Sequence, residues 1–143
     1  MSEPYDPNNI FAKILRGEAP CVRIEEDEFS LAFMDIMPRA EGHALVVPKA
    51  PARNIFDVAP ADLARLAVSV QRLALAVKTG HAADGVAVQQ FNESAGGQVV
   101  FHLHFHVLPR WSGVALRPPG GPIAAAEQLE VHAAKIRAAL KAI

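Results

Sequence analysis

One cysteine in 143 residues leaves little room for sulfur chemistry. With Cys21 alone, no intramolecular disulfide can form and a cysteine-rich zinc module is excluded. Charge of one sign is also missing. Fourteen Lys and Arg oppose fifteen Asp and Glu, and no run of like charges marks a nucleic-acid track, so nucleic acid is not an expected partner. Long hydrophobic runs are absent too: Asp6, Lys13, Arg16 and Glu18 break the first twenty residues, and Arg65, Gln71 and Arg72 break Leu63 to Val77. The expectation is a cytoplasmic protein with no membrane partner. Hydrophobic residues at 51% and charged residues at 20% fit an ordinary globular chain, and neither repeat nor low-complexity linker divides residues 1–143, so one domain is expected.

Proline and glycine punctuate what is there. Asn8 or Asn9 caps a short helix ended by Gly17, with Ile10, Phe11 and Ile14 on one side. Val22 to Glu25 and Ser30 to Ile36 read as a hairpin around an acidic turn, and Ala44 to Val47 as a central strand. Pro60 and Asp62 open a helix in which Leu63, Leu66, Val70, Leu73 and Val77 follow helical spacing to Gly80. Val86 to Phe91 and Val99 to Leu108 read as strands. From Ile123, Leu129, Ala133, Ile136 and Leu140 describe a terminal amphipathic helix. About five strands and three helices argue an α+β fold with helices on one face.

Three of the six histidines fall in Phe101-His102-Leu103-His104-Phe105-His106-Val107. Strand alternation puts His102, His104 and His106 on one face and the apolar residues on the other. A polar outer face needs no histidine, so function is the better reading. A metal site is one alternative, although the ends of the triad lie roughly 13 Å apart along a strand, which lets two rings converge more readily than three. Nucleophilic catalysis by the middle imidazole, with its neighbours fixing the tautomer, is the other.

The run Gly97-Gln98-Val99-Val100 through the triad resembles the signature of the histidine triad (HIT) nucleotide hydrolases and transferases. The resemblance includes Asn9 to Ile14, Leu31 to Ile36 and Gly42 to Lys49, and covers about residues 10–110, leaving a C-terminal connection and helix over 111–143. It implies a HIT-like antiparallel sheet that dimerises into a continuous sheet, a purine nucleotide substrate, and no cofactor. By the same resemblance His104 is the nucleophile toward the α-phosphorus, forming a covalent nucleotidyl-histidine intermediate, His106 assists the leaving group, and His102 and His43 orient His104. Asp35 takes the ribose; Ile10, Phe11, Ile14, Phe33 and Ile36 form the purine slot; Asn92, Gly97, Gln98 and Val99 belong to the phosphate or ribose site. For Gln98, a surface amide is the equal alternative.

Some residues depart from the pattern. Val99 stands where the phosphoramidase branch often has a hydroxyl, so one donor to the leaving group is missing; Arg53 replaces a frequent second histidine. The cysteine pair that holds structural zinc in some bacterial members has no counterpart, so no metal is expected. His81 and His132 match nothing and read as surface residues; Cys21 reads as a small core residue and Trp111 as a dimer contact or lid. Alternatives of another class are a non-catalytic nucleotide-binding scaffold and a His-x-His metalloenzyme of cupin type.

Overall fold

The computed structural model describes residues 3–143. Helix α1 (Ile10–Leu15) is capped by Asn9, whose side-chain oxygen accepts from the Ala12 N–H, and Gly17 turns the chain away at φ +78°. Strands β1 (Arg23–Glu26) and β2 (Ser30–Met34) form the expected hairpin. Its turn closes on Asp27, whose carboxylate accepts from the Phe29 and Ser30 N–H groups. Strand β3 (Ala44–Pro48) is buried throughout and lies central in the sheet, as its unbroken apolar run requires.

Helix α2 (Pro60–Gly80) then crosses to β4 (Gly85–Gln89), and β5 (Phe105–Arg110) returns between β3 and β4, giving an antiparallel order β1-β2-β3-β5-β4. Helix α3 (Ala126–Lys141) closes the fold. The two long helices cover one face of the sheet. Leu66, Val70, Leu73 and Val77 of α2 and Leu129, Ala133, Ile136 and Leu140 of α3 meet Ala32, Met34, Ala44, Val46 and Val107 there. At the α2 C-terminus a Cβ on Gly80 would lie 2.8 Å from the Lys135 carbonyl oxygen, so the helices approach at a distance that only glycine permits.

Residues one step out of phase point to the opposite face. Leu31, Phe33, Leu45 and Val47 pack there against Phe11 and Ile14 of α1. Among the described residues no helix is long and apolar enough to cross a membrane.

Candidate active site

The triad sits where β5 begins, not along a strand over Val99 to Leu108: β5 starts at Phe105, so His102 and His104 precede it and only His106 lies within it. Proline explains the shortening. The β3–β5 register pairs Val46 with Phe105 and would set Pro48 opposite Leu103, but Pro48 has no N–H for the ladder. Its carbonyl instead accepts from His102 Nε2 at 2.8 Å, and the Leu103 N–H turns to Ala52 O at 2.9 Å. Alternation survives the lost ladder: Leu103 and Val107 belong to the helix-facing core with Phe105 packed on it, while His106 pairs with Leu45 on the α1 face.

Hydrogen bonds assign the protons on each ring, because a carbonyl oxygen can only accept. His102 donates from Nε2 to Pro48, so Nδ1 accepts from the Tyr5 hydroxyl at 2.6 Å. His104 donates from Nδ1 to the His102 carbonyl at 2.7 Å, which leaves the lone pair on Nε2. His43, just before β3, accepts at Nδ1 from the Arg39 N–H at 3.1 Å. Its Nε2–H then donates to His106 Nδ1 at 3.0 Å, so His106 carries a proton on Nε2. Among the described residues the only buried side-chain nitrogen or oxygen without a partner is His81 Nδ1; the unpaired Nε2 atoms of His104 and His106 therefore both reach solvent. A lone pair and an N–H are presented side by side on rings whose centroids lie 5.0 Å apart.

Burial sets the charge state. It depresses the His102 and His106 pKa values to about 4 and that of His43 to about 3, with the neighbouring charges of His106 and Arg39 adding to the effect at His43. His104 is lowered for the same reason, partly offset by its bond to the His102 carbonyl. The four rings are neutral near pH 7, as a nucleophile and a neutral donor require.

Asp35 follows β2. One carboxylate oxygen accepts from the Met37 N–H at 2.8 Å, the turn-capping role open to any aspartate there, while the other lies 3.4 Å from His43 Nε2 and 3.9 Å from His106 Nδ1. Burial raises its pKa, against the Met37 N–H. Of the slot residues, Phe11, Ile14 and Phe33 are packed together and Phe11 meets the His104 ring edge-on at 4.9 Å between centroids. Ile10 and Ile36 are each 46% exposed and form no part of that packing.

The loop between β4 and β5 corrects two expectations. Gln98 is neither a free phosphate donor nor a surface amide. It is buried, with Nε2 donating to the Arg53 and Val100 carbonyls and Oε1 accepting from the Glu93 N–H and Asn54 Nδ2. The N–H groups of Gly96 and Gly97 are also spent inside the loop, on Glu93 O and Ser94 O, so this turn offers no nest to an anion. Asn92 bonds Gln90 and the Ile55 N–H, and Val99 stands 84% exposed. Arg53 pairs bidentately with Glu93 and lies over the Phe101 ring, fixing Glu93 at φ +64°. Sequence reasoning missed Tyr5, Asn54 and Glu93; only contacts distant in sequence reveal them.

His81 and His132 are not plain surface residues either. Both are half-buried, their rings join through His81 Nε2 and His132 Nδ1 at 3.0 Å, and burial lowers His81 to about 4. They meet because His81 ends α2 and His132 lies on α3, which pack together. The Trp111 indole N–H donates to His81 O and Ala82 O, and Cys21 packs half-buried against the α1-face cluster. One set of donors has metal-site spacing: Asp35, His43 and His106 offer atoms within 4.8 Å of one another. A cation there would have to break the proton link between the two rings.

Three histidines from one segment, joined by a fourth before the neighbouring strand of an open antiparallel sheet, define a histidine triad domain. Residues 16–113 match the family described as HIT domain, and the chain belongs to that family. It is 35% identical over 121 residues to "Adenosine 5'-monophosphoramidase hnt1" of Schizosaccharomyces pombe, covering 82% of this chain and 88% of that one. To "Adenylylsulfatase HINT3" of Arabidopsis thaliana it is 32% identical over 114 residues, covering 76% of this chain and 58% of that longer protein. A crystal structure of a "Hit-like protein involved in cell-cycle regulation" from Bartonella henselae superposes with a TM-score of 0.90 at 51% identity, over 95% of this chain and 99% of that one.

Proposed function

We propose that this chain is a nucleotidyl hydrolase that attacks the α-phosphorus of purine nucleotide conjugates, phosphoramidates or dinucleoside polyphosphates, through a covalent intermediate on His104. The observation that carries the reading is the hydrogen bond from His104 Nδ1 to the His102 carbonyl, which aims an unprotonated Nε2 at solvent beside the Nε2–H of His106. Relatives named adenosine 5'-monophosphoramidase and adenylylsulfatase support the substrate class. His104 Nε2 forms a bond to phosphorus while the leaving group departs with the electron pair, and His106 donates to a phosphoryl oxygen or to that group. Water then attacks phosphorus and frees the ring. Asp35 receives the ribose hydroxyls, and Phe11, Ile14, Phe33, Ile10 and Ile36 shape the side on which the purine lies.

His104→Ala keeps the pocket and removes the attacking atom, so turnover falls to background while nucleotide binding persists. Rapid mixing with an adenosine phosphoramidate traps an acid-labile adenylate on His104; near-normal turnover by the variant overturns the mechanism, and no adduct with no turnover favours a binding scaffold. The spacing of Asp35, His43 and His106 favours metal chemistry as a second reading, separated by chelation. Activity survives EDTA if His104 is the nucleophile and is lost, then restored by zinc, if it is not. The homodimer is proposed on the family resemblance, and a sedimenting monomer at micromolar concentration would contradict it.

A further inference from the structure

Glu93 is held in a backbone conformation that only glycine adopts freely, φ +64° and ψ +163°, and is one of two non-glycine residues with positive φ among those described. Every polar group it has is engaged. Its carboxylate accepts from Arg53 Nε and Nη2, both at 2.8 Å, and from Asn54 Nδ2. Its N–H donates to Gln98 Oε1 at 2.7 Å, and its carbonyl accepts from the Gly96 and Gln98 N–H groups at 3.0 Å. Strain of this kind persists only where the surroundings over-determine it, and it collects where a site must keep one shape.

The knot reaches the triad through Phe91. The Glu93 carbonyl closes the turn over Ser94–Gly96, which brings Gly97 back onto Phe91: a Cβ on Gly97 would lie 3.4 Å from that ring. Phe91 stands two residues beyond Gln89, the β4 partner of His106, and meets the His106 ring at 5.8 Å between centroids. His106 is otherwise tied by the single bond from His43 to its Nδ1. One hydrogen bond tolerates a swing of the ring, which a packed neighbour prevents.

We propose that Glu93 is a positioning residue: locked by Arg53, it holds Phe91 against His106 and so aims the His106 N–H at the atom that departs from phosphorus. This rests on the nucleotidyl-transfer reading and assigns the His106 donor to the leaving group rather than to a phosphoryl oxygen. As the bond from His104 Nε2 to the α-phosphorus forms, the bond to the departing oxygen breaks and its electron pair stays on that oxygen. A hydrogen bond there counts most when the leaving group is basic and carries the charge poorly.

The test compares kcat/KM for two aryl esters of adenosine 5'-monophosphate, the para-nitrophenyl ester with a stable departing phenolate and the phenyl ester with a more basic one. Glu93→Gly removes the carboxylate at a position that glycine occupies without strain, and Arg53→Met cuts the same tie from the other end. In each variant the phenyl ester loses about tenfold more than the nitrophenyl ester, the worth of one hydrogen bond to a charged atom, and the double variant loses no more than the poorer single one. Equal loss on both esters, or none, makes the knot structural only and overturns the positioning role while the hydrolase stands. If Arg53→Met fails to fold, Glu93→Gly decides alone. A parent protein that cleaves neither ester overturns the hydrolase reading and this inference with it.

Discussion

Replacing Gln98 with alanine separates a phosphate contact from a strut inside the fold. The amide makes four hydrogen bonds, to Arg53 O at 2.8 Å, Val100 O at 3.0 Å, Glu93 N at 2.7 Å and Asn54 Nδ2 at 3.1 Å. Each is worth about 1 kcal/mol net, and more where the partner is left buried without another. Asn54 keeps the Glu93 carboxylate, and Glu93 lies near enough to the surface for its N–H to find water. The Arg53 and Val100 carbonyls are left without their donor, and at about 1.5 kcal/mol for each such buried acceptor the loss is about 3 kcal/mol. For a chain of this size that lowers Tm by roughly 10 °C. Circular dichroism melts give the stability, and kcat/KM well below the melt gives the function. A variant with an unchanged Tm and a large fall in kcat/KM would refute the strut and restore Gln98 as a donor to substrate.

Stability should fall as pH drops from 6.5 toward 4. The unfolded chain takes up protons near pKa 6.5, whereas His102 and His106 do so only near 4 and His43 near 3, so the stability present above 6.5 is lost through that window. A buried ring accounts for about 1.4 kcal/mol per pH unit, and a urea midpoint unchanged between pH 7 and 5 would count against neutral burial. Tyr5→Phe removes the hydroxyl that fills His102 Nδ1 and costs about 1–2 kcal/mol, read as a lower Tm with kcat down only a few fold; an unaltered melt would deny that bond any role. Leu103→Ala empties a fully buried position in the helix-facing core and costs about 2–5 kcal/mol in urea unfolding; under 1 kcal/mol would mean that the site collapses around the gap.

Periodicity made the helices legible: Leu66, Val70, Leu73 and Val77 face the sheet at the spacing read from the chain, as do Leu129, Ala133, Ile136 and Leu140. The central strand announced itself by an apolar run between Gly42 and Pro48, and the facial split of the triad by its alternation. Alternation does not say whether a ladder partner exists. The start of β5 at Phe105 depends on Pro48, a residue on another strand, and no local pattern reports it. Gln98 was misplaced for a similar reason, since glutamine beside a Gly-Gly turn looks alike whether it faces a ligand or the Arg53 and Val100 carbonyls. The His81–His132 pair joins residues fifty-one apart and needs the helix packing to be known first.

His104, the proposed nucleophile, is oriented by the His102 carbonyl. Many histidines in catalytic sites are steered by an acidic side chain, which lends negative charge to the ring, titrates, and can be deleted by a single codon change. A main-chain oxygen does none of these. It has no protonation state, and every residue substituted at position 102 still supplies it. The aim of His104 is therefore inherited from the path of the backbone, and evolution can vary the side chains around it, with the substrates they select, without unsetting the reactive tautomer.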